Sequence, residues 1–130
     1  MSHTIDSLMH TNVHTASIDD SIAAVEKQLK DHELSWVPVV EPGGPVLGVI
    51  SASDLLQFHA QRRDPQHVLA WQLCTYKPIT VSPRTSVAEV ARLMVRHHIH
   101  HVVVMDGQAL CGVVSALDFV GRFVVDGQPG

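Results

Sequence analysis

The sequence predicts an α+β fold of two β-α-β-β-α repeats, with small mixed sheets flanked by helices and the repeats packed about a pseudo-twofold axis. One short motif occurs twice, as GVISASD (Gly48–Asp54) and as GVVSALD (Gly112–Asp118). The residues before each copy change between helix-like and strand-like patterns in the same order. The chain has 130 residues, of which 45% are hydrophobic and 17% charged, and this composition suits a folded core.

The similarity between the two halves extends well beyond this motif. The segment SLMHTNVHTASIDDSIAAVEKQL, which begins at Ser7, lies over QLCTYKPITVSPRTSVAEVARLM, which begins at Gln72. LSWVPVVE then lies over IHHVVVMD. The alignment slips by one residue only between the turn-rich stretches EPGGPV and DGQAL, where insertions are tolerated. This pattern indicates an internal duplication.

The duplication predicts a division into a first repeat at residues 1–60, a linker at 61–66 and a second repeat at 67–130. The linker, QRRDPQ, is polar and contains a proline. A repeat of roughly 60 residues buries little surface alone, so we expect the two to share one core. A pseudo-twofold axis between them would create two equivalent clefts, and such clefts are favoured ligand positions.

The first helix of each repeat is predicted from an apolar stripe at helical spacing. In the second repeat, Ser86 followed by Glu89 is a capping-box pattern at the start of this helix. The two helices are expected to end near Glu33 and His98, and a second helix opens at each Ser-Ala-x-Asp segment. The stripes comprise Ile22, Val25 and Leu29 in the first repeat and Val87, Val90, Ala91 and Met94 in the second.

The strands are predicted from short apolar, β-branched runs bounded by turn residues. The turns PGG and Asp106-Gly107 each separate two such runs, and Asp-Gly is a strong hairpin signal. The runs are Trp36–Val40 and Val46–Ile50 in the first repeat and Val102–Met105 and Leu110–Val114 in the second. A further short strand is expected before each first helix, at Ile79–Val81 and near His14.

Charge and composition argue against several function classes. A net charge of −4 disfavours sequence-independent nucleic-acid binding, and no apolar run approaches the roughly 20 residues that span a bilayer. MSHTIDSLMH lacks the features of a secretory signal, and Cys74 and Cys111 form no CxxC pair, so we expect a reduced, cytoplasmic setting. The sequence offers no nucleophile elbow, P-loop or paired-carboxylate motif, which predicts no enzymatic activity and no required cofactor.

A doubled β-α-β-β-α unit with hPVV before the hairpin and G-h-h-(S/T)-x-x-D after it resembles a tandem pair of CBS domains, the Bateman module. The resemblance covers nearly the whole chain, from about Ile5 to Val125. It implies a regulatory module that binds an adenosine-containing ligand in the inter-repeat cleft, such as AMP, ADP, ATP or S-adenosylmethionine, and forms a homodimer through its helices. Val103 departs from the pattern, since the family usually has the proline found at Pro38, and we interpret this as a packing change.

The resemblance also implies site residues, because in the family the motif's Asp takes the ribose hydroxyls and its Ser or Thr lies near ribose or phosphate. An ionised carboxylate accepts from vicinal hydroxyls, and a helix N-terminus presents amides to an anion. The loop before the opposite repeat's first strand surrounds the adenine. The preferred cleft would comprise Asn12, Val13, His14, His100, His101, Ser115 and Asp118. The second cleft would comprise Ser35, Trp36, Ser51, Asp54, Lys77, Pro78 and Ile79.

The two clefts are not expected to be equal. Family members often carry basic residues before the hPVV strand, facing phosphate, and His100 and His101 stand there in the second repeat. The first repeat has Ser35 and Trp36 instead, which offer no charge to a phosphate. The second cleft would therefore take a less charged ligand or be blocked by Trp36.

Three alternative interpretations remain open. Each S-x-x-D segment is also a helix capping box, a role that is compatible with ligand contact. The same fold with empty clefts would act as an interaction module that docks on a partner enzyme or transporter. The run His97, His98, His100 and His101, with Cys74 or Cys111, would suit a metal or redox sensor, although the run crosses a helix end and has no neighbouring carboxylate motif.

Overall fold

The structure is a computed structural model that describes the backbone of residues 3–126 and the side chains of residues 3–122. After a short 3₁₀ helix at Ile5–Ser7, the helices are α1 (Ile22–Asp31), α2 (Ala52–Ala60), α3 (Ala70–Leu73), α4 (Val87–His97) and α5 (Ala116–Asp126). The strands are β1 (Ala16–Ser17), β2 (Trp36–Val40), β3 (Val46–Ser51), β4 (Thr75–Tyr76), β5 (Thr80–Val81), β6 (His101–Asp106) and β7 (Ala109–Ser115). Within residues 3–126, no helix has the length and apolar character needed to cross a membrane.

The segment His14–Pro78 forms one compact unit around a four-stranded sheet with the strand order β1-β2-β3-β4. β1 runs parallel to β2, whereas β2 and β3 pair antiparallel, as do β3 and β4. The predicted strand Trp36–Val40 is confirmed, and its partner extends from Val46 to Ser51. The strand expected near His14 begins at Ala16.

Residues 3–13 and 79–126 form the other compact unit, whose sheet has the order β5-β6-β7. β5 runs parallel to β6, and β6 pairs antiparallel with β7. The predicted strands of the second repeat are confirmed, and β6 and β7 each extend slightly beyond the predicted ends. The α+β class and the β-α-β-β-α order of both repeats are therefore as predicted.

The duplication is visible in the irregular features of the two hairpins. The register shifts between Val39 and Val40 in one sheet and between Val104 and Met105 in the other, at positions that align in the repeat. Both hairpin turns contain a glycine at φ +62°, which are Gly43 and Gly107. This left-handed conformation carries little cost for glycine, so both turns keep that residue.

Each sheet gains an edge from the segment that precedes the first strand of the other repeat. β4 precedes β5 and pairs with Gly48–Val49 of β3. His10 precedes β1 and bridges to Val113 of β7, donating its N–H to the Val113 carbonyl at 2.9 Å and accepting at 3.0 Å. Residues 3–13 thus pack with the second repeat, so the compact units do not follow the repeat boundaries. The division at 1–60, 61–66 and 67–130 stays a prediction about the duplication.

Each of these edge pairings needs a glycine on the strand that receives it, which is β3 or β7. A Cβ at Gly48 would lie 2.3 Å from the Thr75 carbonyl oxygen. A Cβ at Gly112 would lie 2.8 Å from the His10 carbonyl oxygen and equally close to the Met9 sulfur. Because real Cβ atoms do not approach backbone oxygens so closely, the glycine of each motif serves the edge pairing.

A serine caps the first helix of each repeat, and the capping box predicted at Ser86 forms in part. Ser21 Oγ accepts from the Ala24 N–H and Ser86 Oγ from the Glu89 N–H, both at 3.1 Å. The reciprocal bond from the Ser86 N–H to the Glu89 carboxylate is absent between these residues, so Ser86 supplies the cap alone. A residue with a positive φ follows each helix, Glu33 after α1 and His98 after α4, and both lie close to the predicted ends.

The core of each unit lies between its sheet and its helices, and the predicted stripes supply it. Ile22, Val25 and Leu29 of α1 are buried together with Phe58 of α2. In the other unit, α4 buries Val87, Val90 and Met94, Ala91 packs at the margin, and Ile5 of the 3₁₀ helix joins them. Burial of such side chains contributes about 1.5–3 kcal/mol each relative to exposure.

Candidate functional site

The first motif ends β3 and begins α2 with a complete capping box. Ser51 Oγ accepts from the Asp54 N–H at 3.3 Å, and Asp54 Oδ2 accepts from the Ser51 N–H at 2.8 Å. Ser51 Oγ also donates to Asp54 Oδ2 at 3.0 Å. The capping interpretation is therefore confirmed for this motif. Among the described residues, no donor bonds Asp54 Oδ1.

The second motif holds its carboxylate in the same way at the start of α5. Asp118 Oδ2 accepts from the Ser115 N–H at 2.7 Å and from Ser115 Oγ at 3.2 Å. The Asp118 side chain is largely buried, with 16% of it exposed. Each motif thus presents a fixed carboxylate at the N-terminus of a helix, where the carboxylate can accept from hydroxyl donors and the helix dipole can attract an anion.

The residues predicted before the second strand of each repeat lie beside these carboxylates. The Ala52 N–H donates to the Ser35 carbonyl at 2.8 Å, and the Ala116 N–H donates to the His100 carbonyl at 2.7 Å. Trp36 is the register partner of Ser51 and is partly buried. In the other unit, His101 is the register partner of Ser115. Each unit therefore brings together the two residues before hPVV and its own Ser and Asp.

The loop residues predicted for the two sites divide between the compact units. Asn12 and Val13 belong to the unit of Asp118, and Lys77 and Pro78 to the unit of Asp54. Lys77 has a φ of +56° and donates its N–H to the Leu47 carbonyl at 3.3 Å, which places it next to β3.

His14 and Ile79 belong to the opposite units from the carboxylates with which they were predicted. His14 stacks on His32, with ring centroids 4.0 Å apart. Ile79 packs against the core that contains Val81, and its carbonyl accepts from the Val103 N–H at 3.5 Å. Their roles beside the carboxylates stay predictions.

His10 contacts the carboxylate of the second motif, and the sequence did not predict this contact. His10 Nε2 lies 2.6 Å from Asp118 Oδ1, although the two residues are 108 positions apart in the chain. The repeat alignment sets His10 against Thr75, and that substitution within the duplication is the sequence signal for this contact.

The two carboxylates also have different charged surroundings. Around Asp118, the N-terminal segment contributes His10, and Arg122 of α5 donates to the Ser7 carbonyl at 3.2 Å. Near Asp54, burial raises the pKa of the Cys74 thiol, and the Asp54 charge adds to that rise. Cys74 is accordingly a protonated, buried thiol next to the first motif and a poor candidate for a reactive cysteine.

An apolar cavity of about 510 Å³ lies between α4 and α5. Of the predicted site residues, His100 reaches it, and His98 lines it as well. The remaining walls are Ala91, Met94, Val95, Ile99, Ala116 and Phe119. His98 and His100 therefore lie in a mainly apolar wall. Within the described part of the chain, no group of three or more His, Cys, Asp or Glu side chains could hold a metal ion.

Comparisons with known proteins agree with this geometry. The CBS domain family matches residues 5–60 and 70–125. The CBS domain-containing protein YhcV of Bacillus subtilis is 30% identical over 111 residues, which cover 85% of this chain and 78% of YhcV.

Two solved structures have similar folds. The CBS domain pair of protein MJ0100, solved with 5-methylthioadenosine and S-adenosyl-L-methionine, has a TM-score of 0.85 and 24% identity, covering 93% of this chain and 99% of that one. The hexameric CBS-CP12 protein of bloom-forming cyanobacteria has a TM-score of 0.85 and 26% identity, covering 95% and 71%. With both repeats matched and the paired fold reproduced, the chain belongs to the CBS domain family.

Proposed function

We propose that this protein is a regulatory module that binds an adenosine-containing ligand at the two motif carboxylates and signals metabolite or energy state by a change in shape or association. AMP, ADP, ATP and S-adenosylmethionine are the candidate ligands. The observation that carries the proposal is the shared geometry of Asp54 and Asp118. In both repeats a serine binds Oδ2, so the second oxygen of a fixed carboxylate can accept from another donor when that donor is in reach.

The chemistry of this arrangement suits a ribose. A carboxylate oxygen accepts strong, charge-assisted hydrogen bonds from hydroxyl groups, and vicinal hydroxyls can use one carboxylate together. The first-turn amides of α2 and α5 and the positive ends of these helices favour an anionic group nearby. A nucleotide supplies both the hydroxyls and the anion.

The two sites would prefer different ligands. The Asp118 site has His100 and His101 at the start of β6, which can face a phosphate when they carry charge. The Asp54 site has Ser35 and the aromatic Trp36 at the equivalent place. We therefore assign the more anionic ligand to the Asp118 site. The MJ0100 complex with two adenosine compounds of modest charge supports the adenosine class as a whole.

The proposed signal requires an assembly that can respond to the ligand, and we propose a homodimer formed through the helices. Leu56 of α2 is 73% exposed, and Leu117 of α5 is 76% exposed. Val95 and Val120 add further exposed apolar surface on α4 and α5. Surfaces of this kind mark interaction sites, and the hexameric CBS-CP12 protein shows that a family member assembles.

The experiment that tests the function is calorimetric titration with AMP, ATP and S-adenosylmethionine of the natural chain, Asp54→Asn and Asp118→Asn. Asparagine keeps one oxygen for the serine N–H, but its amide group cannot accept from a ribose hydroxyl. We expect at least one ligand to bind the natural chain and the matching variant to bind it about tenfold more weakly or worse.

Asp19→Asn is the matched control, because Asp19 is exposed and removing it changes the net charge by the same amount. It should bind as the natural chain does. If none of the three ligands binds the natural chain at millimolar concentration, the proposal is contradicted, and an interaction module with empty sites becomes the better interpretation.

A further inference from the structure

We propose, on the basis of the function proposed above, that His10 is a latch on the Asp118 carboxylate. The imidazole occupies the oxygen that a ribose hydroxyl needs, so ligand and His10 compete for it. His10 is thereby a specificity-determining residue that weakens the Asp118 site relative to its repeat counterpart and makes its affinity depend on pH. It acts through Asp118 and is a positioning residue.

The latch is held in place by the backbone. Two hydrogen bonds between His10 and Val113, at 2.9 and 3.0 Å, fix the N-terminal segment along β7. The side chain then reaches Asp118 at the start of α5, with 2.6 Å between Nε2 and Oδ1. The backbone pairing places His10 beside Asp118, whereas the His10 side chain itself stays 64% exposed. Among the described residues, Asp118 makes the one side-chain hydrogen bond to this exposed imidazole, so the ring can rotate away without unfolding the segment.

With His10 in place, both oxygens of Asp118 are engaged. Oδ2 accepts from the Ser115 N–H and hydroxyl, and Oδ1 accepts from the imidazole. A ligand hydroxyl that approaches Oδ1 has to replace the His10 N–H. The free energy of the His10–Asp118 contact is therefore subtracted from that of binding.

The first repeat provides an internal comparison. Thr75 occupies the position equivalent to His10 and pairs with β3 at Val49, as His10 pairs with Val113. Thr75 has a short side chain, and Asp54 Oδ1 accepts no hydrogen bond from the described residues. The duplication thus yields one latched carboxylate and one open carboxylate at matching positions.

A charged imidazole binds a carboxylate more strongly than a neutral ring does, so the latch should be stronger, and the Asp118 site weaker, at acid pH than at alkaline pH. Other charged or titratable groups lie on the elements around the pair, so the pH effect of His10 has to be isolated by substitution. These groups are Asp6, His100, His101, Cys111 and Arg122.

The test uses adenosine as the probe, since it has the vicinal hydroxyls but no phosphate that titrates in this range. Binding is measured by NMR titration at about pH 5.5 and 8. Two proteins are compared, the Asp54→Asn variant and the double variant Asp54→Asn with His10→Thr. In both of them, the Asp118 site alone keeps its carboxylate. We expect His10→Thr to bind adenosine roughly two- to fivefold more tightly at the lower pH, as for an exposed ion pair, with a smaller gain at the higher pH.

Thr75→His in an Asp118→Asn background is the mirror variant and should weaken the Asp54 site, most strongly at the lower pH. Equal adenosine affinity with and without His10 at both pH values would overturn the latch while leaving the proposed function intact. If neither the His10 nor the His10→Thr protein binds adenosine or AMP in the Asp54→Asn background, removal of the imidazole releases no site and the latch is rejected. The function is rejected as well only when the natural chain also binds neither compound.

Discussion

The glycine that opens each G-h-h-S-x-x-D segment is explained by its backbone neighbour. Gly48 and Gly112 face the carbonyl oxygens of Thr75 and His10 at distances that leave no room for a Cβ. The motif therefore combines two requirements within a few residues. Its glycine leaves room for the edge segment that precedes the first strand of the other repeat. Its serine and aspartate form the cap at the N-terminus of the helix.

The first residue-scale prediction follows from this contact. Gly112→Ala should lower the free energy of unfolding by about 1–3 kcal/mol, because the Cβ forces the His10 segment away from β7. Gly121→Ala is the control, since Gly121 lies in α5 with open space around it, and alanine there should be neutral or stabilise by up to about 1 kcal/mol. Urea unfolding followed by circular dichroism measures both. Similar stability of the two variants would contradict the account.

The capping geometry of Ser51, Asp54, Ser115 and Asp118 was predictable from the sequence. The contact of His10 with Asp118 was not predicted. Local patterns report on residues close in the chain, whereas the His10–Asp118 contact joins positions 108 residues apart and depends on which strand edge the N-terminal segment occupies. The difference between His10 and Thr75 within the duplication was the available signal.

The elements themselves were largely predictable because helices and strands have distinct apolar periods. The stripes of α1 and α4 and the β-branched runs of β2, β3, β6 and β7 matched their elements to within a residue or two. α3 and β4 were not predicted, because four and two residues are too short to show a period. The placement of β4 and His10 beside the sheets arises from tertiary pairing.

The element-scale prediction concerns the cap of α4. Ser86→Ala removes the acceptor of the Glu89 N–H and should cost about 1 kcal/mol of stability. Arg92→Ala is the control, because Arg92 is exposed in the same helix and alanine keeps helix propensity. Thermal unfolding should separate the two variants clearly. Equal melting temperatures would show that Ser86 does not act as the cap.

At the scale of the whole molecule, the duplication contains two similar motifs whose surroundings differ. His10, His100 and His101 lie near the motif of Asp118, whereas Thr75 and Trp36 lie near the motif of Asp54. The exchange of edge segments means that each unit contains residues from before the first strand of the other repeat. The repeat pattern predicted the duplication but did not reveal this exchange, since an edge segment pairs through its backbone and the motif glycine does not identify the segment that lies against it.

The whole-molecule prediction concerns assembly. We expect light scattering to give twice the mass of one chain, and Leu117→Glu to give the mass of a single folded chain, because a charge at this exposed position opposes burial in a dimer. Gln108→Glu, in the exposed hairpin turn, is the control and should stay dimeric. A dimer that survives Leu117→Glu would exclude α5 as the interface, and a monomeric natural chain would exclude the homodimer.

Native mass spectrometry of the chain with added AMP or S-adenosylmethionine tests the central claim most directly. We predict that the folded chain gains the mass of the adenosine ligand, and that a double variant, Asp54→Asn with Asp118→Asn, gains none while keeping its folded charge distribution. A folded natural chain that retains neither ligand at millimolar concentration would contradict the claim, as would a double variant that binds as well as the natural chain.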